Sequence, residues 1–250
     1  MSTCPVCSAS GVPFKQVIGF GGDYAIHSCS SCRLEYVDPM PSEQVLIDFY
    51  ASYHDVRAGD AVLLLNAQRN VQCLQSLGLT ERSQLLDYGS GKDVFVTLGK
   101  GTWQSYDPHT HNNDASVLVN SHYDFITSWG VLEHVVSPIA MIQQLAPLLK
   151  ANGLLVMTTV DIDSAIPYRF KPPEHLTYWT KEAAKALLEA CGCVLLSYEP
   201  YIMMQAKQVY MDIILRTLPV ELKTCVHYES MPDYVTVPTN EIFIVAKKLP

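Results

Sequence analysis

DYGSGKD, Asp87 to Asp93, follows the short apolar run Gln84 to Leu86 and decides the fold. Glycine at 89 and 91 lets the backbone turn sharply and approach a ligand with no Cβ in the way. Two later stretches also end an apolar strand in polar or glycine residues: YDP at Tyr106 to Pro108, and DFITSWGVLEHV at Asp124 to Val135. Three such strand ends in order are where a doubly wound α/β sheet binds its ligand, so the expectation is a nucleoside-cofactor site. A dinucleotide fingerprint, G-x-G-x-x-G, would need glycine at position 94, where Val94 stands. Asp107 ends the second strand, where a carboxylate can accept both hydroxyls of a ribose. Taken alone, it also reads as a loop-capping aspartate.

Outward from this centre, strands and helices alternate at βαβ lengths. QLLDY, a short helix from Asp93, TWQSYD, SVLV, YDFITSW, a helix from Pro138 to about Leu149, and GLLVMTTV argue for a mostly parallel sheet. Upstream, Ser42 reads as an N-cap with Val45, Leu46 and Phe49 on one face, and Ala61 to Leu77 as an amphipathic helix ending at Gly78. Downstream, Asp161 to Thr177 is loop-like, Thr180 caps a helix that Gly192 stops, CVLLSYEPYI reads as a strand, and EIFIVAKK closes the chain as another.

At the N-terminal end, Cys4 and Cys7 are matched by Cys29 and Cys32, two Cys-x-x-Cys pairs 21 residues apart. That spacing suits four thiolates around one zinc ion, and the short strand-like pieces between them suit a zinc ribbon. The competing reading is two disulfides in a secreted protein. No basic segment followed by an apolar run directs secretion, so the expectation is cytoplasmic, with Cys73, Cys191, Cys193 and Cys225 as ordinary thiols. The longest aliphatic clusters are too short to span a bilayer.

The chain has 250 residues, 48% hydrophobic, enough for one substantial core and a small appendage. The expected division is a ribbon over 1–40, a helical lead-in over 41–80 and a Rossmann-like domain over 81–250. With 17 Lys plus Arg against 25 Asp plus Glu, the net charge of -8 opposes a phosphate backbone, and no basic patch interrupts it. Neither a nucleic-acid nor a membrane partner is expected; a small molecule is.

Together, DYGSGKD, YDP, DFITSWGVLEHVVSP, LKANGLLVMTT and HLTYWTKEAAKALLEACG resemble a class I S-adenosylmethionine-dependent methyltransferase over most of residues 80 to 200. CSSCRLEYVDPMPSEQVLIDFYASY is similar to the zinc-binding leader of some of these enzymes, among them small-molecule and sugar C-methyltransferases. The resemblance implies a seven-stranded sheet whose final strand, Glu241 to Lys248, lies antiparallel between its neighbours. It implies that Asp87, Gly89 and Gly91 hold the methionine part of the cofactor, that Asp107 holds the ribose, and that Ser128 and Trp129 face cofactor and substrate. Asp93 stands where the family's third glycine usually falls, and the stretch from Asp107 to Asp124 is compact.

A methyl sulfonium is already activated, so the protein has to align a nucleophile and remove its proton. Glu174 and His175, in KPPEHLTYWT, resemble the EH motif of zinc-containing sugar C-methyltransferases. By that likeness His175 is the base, Glu174 orients it and Tyr178 contacts substrate. Alternatively, His175 only hydrogen-bonds the backbone. Glu133 and His134 form a second acid and imidazole pair, with His134 a candidate substrate contact; in the family this segment more often floors the cofactor site. His109 and His111 read as a solvated loop. The expected function is methyl transfer to a small polar metabolite such as a sugar. A phenol or acid O-methyltransferase, and a non-catalytic zinc-binding interaction protein on a methyltransferase scaffold, are the rivals.

Overall fold

The computed structural model describes residues 2–52, 60–99, 103–110, 113–164, 166 and 170–250. In chain order the elements are β1 (Ser2–Thr3), β2 (Ser10–Gly19), β3 (Gly22–Cys29), β4 (Glu35–Val37), α1 (Glu43–Ser52), α2 (Asp60–Ser76), β5 (Leu85–Tyr88) and β6 (Trp103–Tyr106). Then come β7 (Tyr123–Trp129), α3 (Pro138–Leu145), β8 (Leu149–Val160), β9 (Thr177–Tyr178), α4 (Lys181–Ala190), β10 (Cys193–Ala206), α5 (Lys207–Thr217), α6 (Val220–Lys223) and β11 (Tyr234–Lys248).

The central sheet has the order β10-β11-β8-β7-β5-β6. β6, β5, β7 and β8 run parallel, and β11 is antiparallel to both neighbours, as the resemblance implied. Side-chain alternation splits the core into two layers. Leu86, Ile126, Met157 and Ile244 face α3 and α4, while Leu85, Phe125, Val156 and Val245 face α2. Because both faces are covered, the parallel strands are near-continuous apolar runs in sequence.

The sheet has six strands among the described residues rather than seven. SVLV forms a 3-10 turn over Ala115–Val117, capped by Asp114, whose Oδ1 accepts from the Ser116 amide at 2.9 Å. Only nine residues separate Tyr106 from Ser116, fewer than the dozen or so that a crossover to a further parallel strand requires. The helix expected from Asp93 is likewise reduced to a 3-10 turn at Val96–Leu98. Asp93 itself is left-handed (φ 58), and Phe95 stacks on Trp103 at 5.1 Å, pulling the chain straight back into β6. The helix from Pro138 ends at Leu145 and tightens into 3-10 geometry through Pro147, which has no amide to continue it. The last strand begins seven residues early, at Tyr234, because Tyr234 to Pro238 pair with Ile202 to Ala206 in an extension of the β10–β11 hairpin.

The ribbon forms a second sheet, β1-β2-β3-β4-β9. Its last strand comes from the middle of the chain: Glu35 pairs with Tyr178 and Tyr36 with Thr177. The cysteine module and the segment carrying Glu174 and His175 therefore share backbone hydrogen bonding. α4 begins at once, with Thr180 Oγ1 accepting from the Ala183 amide at 3.1 Å, and buries Ala183, Ala184, Leu187 and Leu188 on one stripe. Gly192, at φ 72, ends it. α1 is capped by Ser42 as expected, and Val45, Leu46 and Phe49 form its half-buried face, with Leu46 packed against the cluster of Tyr24, Ile26 and Val37.

Candidate active site

The glycine turn and the second strand end meet. The Gly91 amide donates to Asp107 Oδ2 at 3.0 Å, and the Gly89 amide donates to the Tyr106 carbonyl at 2.8 Å. Gly89 and Gly91 have φ of 75° and 55°, a region glycine enters without a Cβ penalty. A Cβ on Gly89 would collide with the Val131 side chain, whereas one on Gly91 would meet nothing within 4 Å. Gly91 thus borders open space over the strand ends. Asp107 is 9% exposed, and its Oδ1 accepts from the His109 amide at 2.9 Å. Each carboxylate oxygen keeps a lone pair for a ligand hydroxyl.

Asp87 lies beneath this turn rather than in it. It is 2% exposed, its Oδ1 accepts from Thr127 Oγ1 at 2.7 Å, and burial pushes its carboxyl up to about 7. Thr127 was not singled out in the sequence; the signal was a polar residue inside the apolar strand YDFITSW. Ser128 and Trp129 end the same strand on opposite faces. Ser128 is 1% exposed, while the Trp129 indole packs edge-on to Phe95 at 5.5 Å and against Phe243 at 6.2 Å. The buried polar atoms Ser90 Oγ, Ser128 Oγ and Trp129 Nε1 have no hydrogen-bond partner among the described residues. Buried polar groups are normally paired, so unpaired ones beside a glycine cradle and a carboxylate fit a polar ligand with hydroxyl and amino groups.

A second cluster assembles on the next two loops. Val131 packs over Gly89, and two residues on, the Glu133 carbonyl accepts from the amides of Leu176 at 2.7 Å and Thr177 at 3.4 Å. This strap brings the pairs Glu133–His134 and Glu174–His175 together. The two imidazoles meet edge to face with centroids 4.9 Å apart. His175 Nε2 lies 3.7 Å from Glu174 Oε1, which is 3.2 Å from Lys171 Nζ. His134 Nε2 lies 3.9 Å from Glu133 Oε1, and its Nδ1 lies 3.2 Å from the Tyr50 hydroxyl. Glu133 Oε2 accepts from Thr159 Oγ1 at 2.8 Å, and burial raises its carboxyl to about 7.

Tyr178 is fully buried; its hydroxyl accepts from the Lys171 amide at 2.9 Å and donates to the His175 carbonyl at 3.2 Å. It braces the loop from beneath, with its phenol held above its usual range by burial. Tyr50 and Lys171 carried no sequence signal, because α1 and the loop after β8 reach this place only through the fold. His111 lies outside the described residues.

The four N-terminal cysteines converge as well. Sulfur separations are 3.7 Å for Cys4–Cys32, 3.4 Å for Cys7–Cys29 and 3.6 Å for Cys7–Cys32, and no cysteine is in a disulfide. Four thiolates about 2.3 Å from a tetrahedral zinc ion lie about 3.8 Å apart, so the donor set fits that ion. Amide N–H groups of Val6, Ser31 and Cys32 already point at the Cys4 and Cys29 sulfurs at 3.4 to 3.5 Å. The Cys4 thiol is held low, to about 5, chiefly by the Cys32 thiol beside it.

A glycine cradle, a carboxylate at the end of β6 and an acid–imidazole cluster on the loops after β7 and β8 fit a group-transfer enzyme that uses a nucleoside cofactor. A family model described as a methyltransferase domain matches residues 65–198, and the chain belongs to that family. The chain is similar in fold to the 1,6-didemethyltoxoflavin-N1-methyltransferase of Burkholderia thailandensis, solved with bound 1,6-didemethyltoxoflavin and S-adenosylhomocysteine. That match has 15% identity, 91% of this chain and 96% of that one covered, and a TM-score of 0.51. It is also similar to a methyltransferase solved in complex with a Haloferax volcanii methyltransferase activator, at 11% identity, 74% and 90% coverage and a TM-score of 0.51. No curated protein matches the chain. No helix among the described residues is long and apolar enough to cross a membrane.

Proposed function

We propose that the chain methylates a small polar metabolite, such as a sugar or another biosynthetic intermediate, with His175 taking the acceptor's proton. S-adenosylmethionine, when bound, supplies a methyl group on a sulfonium. Gly89 and Gly91 pass its methionine part, Asp107 accepts from the ribose hydroxyls, and Ser128 reaches it from the strand end. His175 stands beyond β8 with Glu174 orienting its imidazole and Tyr178 fixing its backbone. The carrying observation is the strap from Glu133 to Leu176, which sets the imidazoles one short loop away from the Val131–Gly89 contact. An acceptor placed there can be deprotonated in line with transfer.

A structural zinc ion held by Cys4, Cys7, Cys29 and Cys32 belongs to this proposal, because β9 hangs the catalytic segment on the ribbon sheet. An O-methyltransferase acting on a phenol is the second reading, favoured by the rings around the cluster. Phe20, Phe49 and Tyr50 meet edge to face in series at 5.6 and 5.1 Å, and Phe170 meets Tyr178 edge to face at 4.7 Å. The test is calorimetry with S-adenosylhomocysteine, followed by a screen of labelled cofactor against sugar, phenol and carboxylic acid acceptors. Failure to bind at millimolar concentration rejects the cofactor site, and the labelled product class decides between acceptors. His175→Ala should lower turnover far more than cofactor affinity; an unchanged rate removes it as the base.

A further inference from the structure

We propose that Glu133 is a positioning residue that provides the counter-charge for a coupled His134–His175 imidazole pair, the part the sequence resemblance gave to Glu174. This rests on the reading of His175 as the base. Glu133 is 3% exposed. One of its carboxylate oxygens and one ring nitrogen from each histidine lie within 4.8 Å of one another. The geometry is held from both sides. Thr159 on β8 fixes Oε2, while the Leu176 and Thr177 amides and the Thr177 hydroxyl, the last at 3.3 Å from the Leu132 carbonyl, tie the two loops together.

Glu174 is placed differently. Its Oε1 lies nearer to the Lys171 ammonium, at 3.2 Å, than to His175, at 3.7 Å, so much of its charge is met within its own loop. Other described groups facing the pair include the Tyr50 hydroxyl from α1, the Lys171 ammonium, and Tyr178 from β9, whose phenol stays neutral. Within this set Glu133 is the deeper carboxylate, and His134 Nε2 lies 3.9 Å from its Oε1. Burial raises it into the range where imidazoles titrate, so a proton taken by the pair can be shared with it.

A carboxylate beside an imidazolium favours the charged ring, and its removal lowers the histidine midpoints. The experiment is an imidazole NMR titration of the full chain, with resonances assigned through His134→Ala and His175→Ala. Glu133→Gln should lower the midpoints of His134 and His175 by about one pH unit, a tenfold change in proton binding, and Glu174→Gln by a clearly smaller amount. In turnover, the acid limb should move down equally while S-adenosylhomocysteine affinity stays within about twofold. Unmoved midpoints in Glu133→Gln, or a larger shift in Glu174→Gln, would overturn the assignment. Should Glu133→Gln fail to fold, Thr159→Val frees Oε2 and should shift the same midpoints downward by a smaller step; no shift overturns the proposal. Manganese chloride is titrated in parallel: one bound ion that Glu133→Gln abolishes would make the carboxylate a ligand and also overturn it. The NMR readout needs no turnover, so shifted midpoints in a chain that binds no S-adenosylhomocysteine would count against the methyl-transfer reading alone.

Discussion

Thr180 Oγ1 donates to the Cys32 carbonyl at 2.8 Å, across 148 residues of sequence, while accepting from the Ala183 amide as the cap of α4. One buried hydroxyl thus joins the last cysteine of the N-terminal module to the helix that follows the segment carrying Glu174 and His175. Removing it costs both functions. Thr180→Ala should lose about 2 kcal/mol of stability, the sum of a lost N-cap and a buried carbonyl left without this donor, measured as a shift in urea midpoint at constant slope.

Metal removal should be felt far from the cysteines. If zinc ties the four sulfurs, a chelator or Cys32→Ser should release about one metal per chain and loosen β4, and β9 with it, through the Glu35–Tyr178 pairing. Hydrogen exchange should then quicken at residues 175–178 as well as in the ribbon. A folded protein that contains no metal and shows unchanged exchange would reject this coupling.

The proposed cofactor site sets a glycine that packs against a side chain beside one that faces open space. Gly89→Ala should destabilise the protein, since its Cβ meets Val131. Gly91→Val faces open space, so beyond about 1–2 kcal/mol of left-handed strain its cost should fall on S-adenosylhomocysteine binding, by tenfold or more in calorimetry. Asp107→Ala should weaken the same binding and leave the Gly91 amide without its acceptor.

Stability should fall as pH rises through the weakly acidic range. Asp87 and Glu133 both have carboxyls raised to about 7 by burial, against ordinary values near 4 in the unfolded chain. Between those values the folded state binds more protons than the unfolded one, so unfolding free energy decreases with pH until both are ionised. Asp87→Asn should flatten part of that decline between pH 4 and 7 in denaturant titrations. A wild-type midpoint that rises over this interval would contradict the burial argument.

The exposed ion pair between Arg33 and Asp163, at 2.8 Å, should matter little although it bridges ribbon and sheet. Both side chains are about half exposed. Arg33→Ala should change stability by less than about 1 kcal/mol, and by less still in high salt.

Local chemistry carried much of this in the sequence. Gly89 and Gly91 turn because they lack a Cβ, the cysteine spacing brings four sulfurs together through short hairpins, and Thr180 and Gly192 begin and end a helix through their own backbones. These are interactions over a few residues, and residue type alone decides them. What required the tertiary structure acts between distant segments. The six strands among the described residues, where seven were expected, and the shortened helix follow from how few residues remain once β6 has paired with β5. The pairing of β4 with β9, the burial of Asp87 against Thr127, and the meeting of Glu133 with His175 depend on which strands become neighbours. Strand order is set by the summed packing of two core layers, and no short stretch of this chain encodes that sum.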